Sequence, residues 1–273
     1  MDKRVMVIND LSGFGNTSLM AIIPTLYSFG LALCVLPTSL LTANTCFADY
    51  HMQGTDDFMR QSIAHWQALK MEFSAIYSGF LANTEQVDIV LHAIDAFADE
   101  DCLVLIDPVM ADGGELYSCY DESMIQAMRR LVARADIISP NYTEACFLAD
   151  VPCRQKCTDA SLQELCAKLH KLGAKELVIT SVPYEKESND VLYSSGQDFE
   201  LFKTAYLPCF YTGTGDIFST LMVAYRLQAM DIREAISRAT KTIYKAIELS
   251  QAAGQSGAEG VLWEQILCQK SQN

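Results

Sequence analysis

The sequence predicts an α/β protein: a three-layer αβα sandwich whose central, mostly parallel sheet carries helices on both faces. Three observations predict it. Short apolar runs alternate with longer stretches of helical period, the rhythm of βα units. The most apolar run, Leu103–Ile106, is hydrophobic without a break, as a strand buried on both faces must be. The segments that follow the strand-like runs are rich in Gly, Asp, Ser and Thr, and open sheets bind ligands at the carboxyl ends of their strands. Half of the 273 residues are hydrophobic, enough for one large core. No repeat, low-complexity tract or linker divides the chain, so residues 1–273 are expected to form a single domain.

The elements follow in order. Residues 4–9 read as a short buried strand, and Asp10 to Thr17 as a Gly-containing loop. A helix is expected over 18–29, with Pro24 inside it. Cys34 to Leu41 is the second strand, and residues 42–54 form a polar loop long enough to cover a site. A helix over 56–69, a strand over 74–80 and an amphipathic helix over 84–97 come next, the last with Val87, Val90, Leu91 and Ile94 on one face. The central strand, 103–106, runs into the acidic Gly-rich turn Asp107 to Gly114. A helix over 121–133 and a strand over 136–139 lead to a helix entered at Asn141. Residues 150–158 connect to a helix over 161–172, and strand 177–181 ends on Thr180 and Ser181. The β runs 191–194 and 199–207 break the βα rhythm before two closing helices, from Asp216 and over 232–251, and a short helical run near 262–267.

Charge and cysteine usage narrow the partners. The net charge of −14 argues against a nucleic-acid backbone. No apolar run is long enough to span a bilayer and no charged-then-apolar leader opens the sequence, so no membrane is expected. Five of the ten cysteines (Cys34, Cys102, Cys146, Cys166 and Cys209) lie in apolar segments, where a thiol behaves as a small hydrophobe. Cys153 and Cys157 are four apart, but no second Cys or His pair completes a zinc site. Free thiols in a reducing, cytoplasmic compartment are the expectation. His65, His92 and His170 lie on expected helices without a second ligand at turn spacing, and His51 sits in the covering loop.

One stretch carries the chemistry. Gly213-Thr214-Gly215-Asp216 stands between strand-like residues and an apolar helix with Ile217, Leu221, Ala224 and Leu227 at helical spacing. The first N–H groups of a helix lack intrahelical partners, and glycines let an anion reach them. A carboxylate beside such a cradle can take the proton of a hydroxyl as its oxygen attacks phosphorus. The plainer alternative is an Asp that suits the helix dipole. Asp107 and Asp112 end the central strand, where they are suited to Mg²⁺ or phosphates; alternatively they are ordinary turn residues. Asn141 and Glu144 have the spacing of a capping box, with a metal-facing Glu144 as the functional alternative.

The ordered set Asp107-Pro108-Val109-Met110 with Asp112 and Gly113, Asn141-x-x-Glu144, and Gly213-Thr214-Gly215-Asp216 resembles the ribokinase-like superfamily, specifically its pyridoxal/pyridoxamine (vitamin B6) kinase branch. The resemblance covers nearly the whole chain. It implies ATP-dependent phosphorylation of the hydroxymethyl group of a B6 vitamer, with Asp216 as the base and the amides of Gly213, Thr214 and Gly215 as the anion hole. It further implies that Asn141 and Glu144 order Mg²⁺ and phosphates, that Asp107 and Asp112 form the acidic turn near the metal, and that Glu144 and Asp112 lie closest to it. Thr180 and Ser181 match hydroxyls on the nucleotide side. Ser12 matches a serine at the pyridine ring, Thr45 keeps a substrate-side hydroxyl, and Gly79 and Phe80 match the substrate-side turn. A homodimer is implied, and a monovalent cation is common in the superfamily, without an assignable site here.

Hydroxymethylpyrimidine kinases are the nearest rival. They share a D-x-S-G-x-G type first loop, as in Asp10 to Gly15, but usually carry Cys where this chain has Asp216. B6 kinases usually show a His-Thr-Gly-like run after the second strand, and this chain has Ala43-Asn44-Thr45-Cys46. That departure is the support for a third expectation, a kinase fold that binds a vitamer or nucleotide without turnover.

Overall fold

The computed structural model describes residues 3–184, 188–196, 198–204 and 207–270. Residues 1, 2 and 271–273 of the expected domain lie outside the described residues, as do Ala205 and Tyr206 of the expected run 199–207.

The strands are β1 (Arg4–Ser12), β2 (Ala32–Leu41), β3 (Met52–Gly54), β4 (Ala75–Ser78), β5 (Leu103–Ile106), β6 (Ala111–Asp112), β7 (Glu115–Leu116), β8 (Ile137–Ile138), β9 (Glu176–Val182), β10 (Asp190–Ser194) and β11 (Phe199–Phe202). The helices are α1 (Ser18–Ser28), α2 (Asp56–Ala68), α3 (Thr84–Phe97), α4 (Glu122–Val132), α5 (Tyr142–Ala149), α6 (Asp159–Lys171), α7 (Thr214–Leu227), α8 (Ile232–Ala252) and α9 (Trp263–Lys270). Among the described residues the main sheet has the order β11-β10-β9-β8-β5-β4-β1-β2-β3. From β2 to β9 every neighbouring pair is parallel. The antiparallel pairs lie at the two margins, β2 with β3 on one side and β9, β10 and β11 on the other.

Alternation along the strands builds a core on each face. Met6, Ile8, Ile76, Val104 and Ile106 point to one side, where Met59, Ile63, Val90, Met128 and Leu165 of α2, α3, α4 and α6 cover them. Val5, Val7, Tyr77, Leu105 and Val178 point to the other and meet Leu19, Ile22, Ile217, Leu221, Ile236 and Trp263 of α1, α7, α8 and α9. The αβα sandwich is therefore as expected, with β5 at the middle of the sheet.

Beyond shifts of a few residues at element ends, four features differ from the sequence reading, each for a physical reason. β1 continues through Asp10 to Ser12, which was expected as loop. A register shift between Asn9 and Leu11 accommodates Asp10, and the ladder resumes at Leu11–Leu40 and Ser12–Leu41. The polar 42–54 loop contains β3, which pairs with β2 along an edge; all three of its residues are exposed, so no apolar alternation marks it. The acidic turn folds as the β6–β7 hairpin rather than as irregular chain. α7 starts at Thr214, with Gly213 as its N-cap, so Asp216 lies inside the first turn instead of opening the helix.

Candidate active site

The carboxyl ends of β1, β5, β8 and β9 and the N-terminus of α7 enclose a cleft of about 290 Å³. Gly213 explains how α7 reaches it. The residue has φ +77, and a Cβ there would lie 2.4 Å from the Asn16 carbonyl oxygen and 2.9 Å from Thr17 Cα. Only glycine allows α7 to dock so tightly on the loop before α1. That docking carries Asp216 onto two donors: the backbone N–H of Ser18 donates to Oδ2 at 2.9 Å, and the side-chain amide of Asn9 donates to Oδ1 at 2.9 Å.

Asn9 is in turn fixed from below. Its Oδ1 accepts the backbone N–H groups of Asp10 at 2.9 Å and Phe80 at 3.1 Å. A Cβ on Gly79 would fall 2.4 Å from Asn9 Nδ2, so the glycine supplies the room Asn9 needs. Phe80 lines the cleft as expected, whereas Gly79, expected at the substrate, stands behind Asn9 and is not among the lining residues.

Five carboxylates line the cleft (Asp10, Asp107, Asp112, Glu144 and Asp216), with no Lys, Arg or His among the described lining residues. Burial lifts Asp10, Asp107, Glu144 and Asp216, and for the last three a neighbouring carboxylate adds to the shift. Asp216 is raised to about 6, first by burial and then by the charge of Asp10, while the Ser18 and Asn9 donors oppose the shift. Asp107 is raised to about 8 by burial and by Asp216, opposed by the Ser219 hydroxyl. That hydroxyl donates to Asp107 Oδ2 at 2.9 Å and lies 3.1 Å from the Ser139 hydroxyl. Glu144 is raised by burial and by Asp107.

Asn141 and Glu144 form the capping box. Asn141 Oδ1 accepts the Glu144 N–H at 2.9 Å, and Glu144 Oε2 accepts the Asn141 N–H at 2.8 Å. Glu144 Oε1 also accepts the Met110 N–H at 3.0 Å, and Asn141 Nδ2 donates to the Ala111 carbonyl at 2.7 Å. The pair thus clamps the β6–β7 hairpin against α5. With both its oxygens engaged, Glu144 is a poorer candidate for direct metal contact than Asp112. Asp112 is exposed and, among the described residues, accepts only its neighbour Gly113 N–H at 2.7 Å.

The cleft brings together Ser12, Thr45, Phe80, Asp107, Asp112, Asn141, Glu144, Thr180, Ser181 and residues 213–216. Asp112, Thr180, Ser181, Thr214 and Gly215 also border a second hollow of about 290 Å³, completed by apolar residues such as Val191, Ile243 and Ile247. The two hollows form one groove that passes over the start of α7. Asn44 organises the departing 43–46 stretch: it is buried, donates to the Ala258 carbonyl at 2.8 Å and accepts the Cys46 N–H at 3.0 Å. His170 bonds Ala174 and Ser194 away from the cleft, and His51 is exposed.

The sequence reading missed Asn9, Ser18, Ser139 and Ser219. Asn9 carried a signal, a lone polar side chain at the end of the apolar run Val5–Ile8. Ser219 carried none, because it lies on a helix face that is otherwise apolar.

Known proteins share this fold. A protein of Bacteroides thetaiotaomicron described as a candidate phosphomethylpyrimidine kinase, solved with pyridoxal, is 34% identical with a TM-score of 0.94, over 99% of this chain and 96% of that one. Pyridoxal kinase of Lactobacillus plantarum has the same fold, with a TM-score of 0.89, 24% identity and 99% of each chain covered. Among curated proteins, the pyridoxal kinase of Dictyostelium discoideum is 25% identical over 194 residues, 66% of this chain and 63% of that protein. A hydroxymethylpyrimidine/phosphomethylpyrimidine kinase of Helicobacter pylori is 26% identical over 205 residues, 72% of this chain and 73% of that protein. The chain spans only 55–64% of the length of the first curated relatives it matches. The family profile of phosphomethylpyrimidine kinase matches residues 16–261, from the loop before α1 to the start of α9, and the chain belongs to that family, on the ribokinase-like fold.

Proposed function

We propose that this protein phosphorylates the 5'-hydroxymethyl group of a B6 vitamer (pyridoxal, pyridoxamine or pyridoxine), using ATP and releasing ADP. The observation that carries the proposal is Asp216: a buried carboxylate raised to about 6, gripped by Asn9 and Ser18, in the first turn of a helix whose N–H groups face the cleft. A general base is most useful when its pKa lies near the working pH. The similar protein solved with pyridoxal supports the choice of acceptor.

The proton and the phosphoryl group move in opposite directions. The substrate hydroxyl gives its proton to Asp216 while its oxygen bonds to the γ-phosphorus. The bond from that phosphorus to the β,γ-bridging oxygen breaks, and ADP leaves. Charge on the transferring group meets the backbone N–H groups of Gly213, Thr214 and Gly215. The apolar hollow beside Ile243 and Ile247 suits the nucleotide base, and Thr180 and Ser181 line the groove between the two ends.

The residues present fit a magnesium ion. An anionic nucleotide cannot enter a cleft of five carboxylates and no basic lining residue without a cation. No group of three His, Cys, Asp or Glu among the described residues forms a protein cage, and Mg²⁺ typically takes one or two carboxylates together with waters and phosphates. Asp112 is the residue to hold it, with Glu144 through water; when bound, it screens the phosphate charge. A monovalent cation would serve the same acidic end.

A homodimer is part of the proposal. Phe14, Met20, Tyr27, Leu40 and Met52 are large apolar side chains exposed around α1 and the β2–β3 edge, a concentration that suits association. Cytoplasmic residence is proposed because no disulfide forms among the described residues; no described helix is long and apolar enough to cross a membrane.

Hydroxymethylpyrimidine kinase is the second reading, favoured by the family name and by the H. pylori relative. A coupled ADP-release assay with pyridoxal, pyridoxamine, pyridoxine and hydroxymethylpyrimidine in parallel separates the two. The proposal expects the vitamers to dominate in kcat/KM. Preference for hydroxymethylpyrimidine transfers the protein to the second reading, and vitamer binding without ADP release makes it a non-catalytic binder.

A further inference from the structure

Three successive carbonyls of the 3₁₀ turn Gly257–Glu259, between α8 and α9, hold three segments around the cleft. The Gly257 oxygen accepts the Thr212 N–H at 3.0 Å, and the Glu259 oxygen accepts the Asn16 N–H at 2.8 Å. The Ala258 oxygen between them accepts twice, from Asn44 Nδ2 at 2.8 Å and from the Thr212 hydroxyl at 3.2 Å. A carbonyl oxygen has two lone pairs, so both bonds form together. Thr212 immediately precedes Gly213, the N-cap of α7, and Asn44, Thr212 and Gly213 all line the cleft. Asn44 is 6% exposed and firmly oriented. Its Oδ1 accepts the Cys46 N–H at 3.0 Å, which leaves Nδ2 facing Ala258. Its backbone N–H donates to the Phe14 carbonyl at 3.3 Å, and its carbonyl accepts the Phe47 N–H at 3.1 Å. Glycines permit the close approach: a Cβ on Gly15 would overlap Asn44 Nδ2, and one on Gly257 would overlap the Phe210 carbonyl oxygen.

We propose that Asn44 is a positioning residue for phosphoryl transfer: through the Ala258 carbonyl that it shares with Thr212, it ties the covering loop to the turn that aims the Gly213, Thr214 and Gly215 amides. The proposal rests on the kinase reading and deepens it, by naming what holds the anion hole in place from across the cleft. Asn44 touches no reacting atom. Its effect passes to Thr212, and from Thr212 to the start of α7.

The tie acts on rate more than on affinity. Backbone donors stabilise a transition state only where they are already aimed at the developing charge. A displacement of about 1 Å, caused far from the chemistry, can cost about 10²-fold. Losing the tie therefore falls on kcat and on binding of the charge-developing state, and spares the ground-state nucleotide. A residue that only supported the fold would act differently, since its loss would weaken acceptor, nucleotide and melting temperature together.

The test uses the whole chain and its Asn44→Ala, Thr212→Val and Thr212→Ser variants, with the double variant of the first two. Steady-state kcat and KM are measured with pyridoxal and with hydroxymethylpyrimidine. Calorimetry measures binding of ADP and Mg²⁺ with and without aluminium fluoride, which mimics the transferring phosphoryl group, and a thermal melt verifies that each variant is folded. Asn44→Ala should cut kcat by about tenfold or more and leave KM within about threefold. It should weaken the fluoride complex by about tenfold and ADP alone by less than about threefold. Thr212→Val should move the same quantities in the same direction, and Thr212→Ser, which keeps the hydroxyl, should hold them near native. The double variant should fall short of the product of the two single losses by at least about threefold, because both act on one carbonyl. Should Asn44→Ala fail to fold, the two Thr212 variants carry the same readouts. Fully multiplicative losses, a defect in KM alone, or ADP binding that weakens as much as the fluoride complex would overturn the assignment. A native chain that releases ADP with neither acceptor would instead sink the kinase reading, and the fluoride complex alone would then decide for or against the Asn44 tie by the same criterion.

Discussion

The side-chain amide of Asn9 donates to Asp216 Oδ1 at 2.9 Å, joining the first strand of the sheet to a carboxylate 207 residues later in the chain. Because Asn9 Oδ1 is held by the N–H groups of Asp10 and Phe80, its amide has one orientation, with nitrogen toward Asp216. A hydrogen bond to the charged form of an acid lowers its pKa. Asn9 therefore both aims Asp216 and keeps it ionised near neutrality.

Replacing Asn9 by Ala should move the acidic limb of the pH–rate profile upward from about 6 and cut kcat at neutral pH by about tenfold. A full pH profile of kcat measures both. A variant with an unshifted limb and native kcat would show that Ser18 alone positions the base.

Gly79→Ala should reproduce much of that defect without touching the substrate. Its added Cβ would sit 2.4 Å from Asn9 Nδ2 and displace the amide. Overpacking of this kind typically costs about 1–3 kcal/mol, so the melting temperature should fall together with kcat. A stable variant with native kcat would remove Gly79 from the support of Asn9.

The buried acids also set a pH dependence of stability. Asp107 rises from 3.8 to about 8 and Asp216 from 3.8 to about 6 on folding. Between those values the folded state binds more protons than the unfolded state, so stability falls as pH rises. The ligand-free protein should therefore lose thermal stability steadily from about pH 4 to pH 8 through these two groups, and Asp107→Asn should flatten the upper part of that slope. Melting curves at half-unit pH steps measure it; a slope unchanged in Asp107→Asn would mean that Asp107 is ionised at neutral pH in the folded chain.

Much of the fold was legible because burial and periodicity coincide. The α3 boundaries, 84–97, and the β5 boundaries, 103–106, were read as the structure has them, from an amphipathic face and an unbroken apolar run. β3 was not legible: its three residues are exposed and it exists only because the chain turns back along the β2 edge. In the site, the residues around the Gly213 turn were legible from local chemistry. Asn9 was passed over as the last residue of a strand, since its role comes from a contact between opposite ends of the chain. The Asn141–Glu144 pair bears out the capping reading, and the same cap holds the acidic hairpin at the cleft.

Single-turnover phosphorylation of pyridoxal by native chain and by Asp216→Asn, with nucleotide affinity measured in parallel, tests the central claim most directly. The account predicts nucleotide binding within about threefold of native and phosphoryl transfer slower by at least about 10²-fold, the usual worth of a general base. Transfer at the native rate by Asp216→Asn would contradict it.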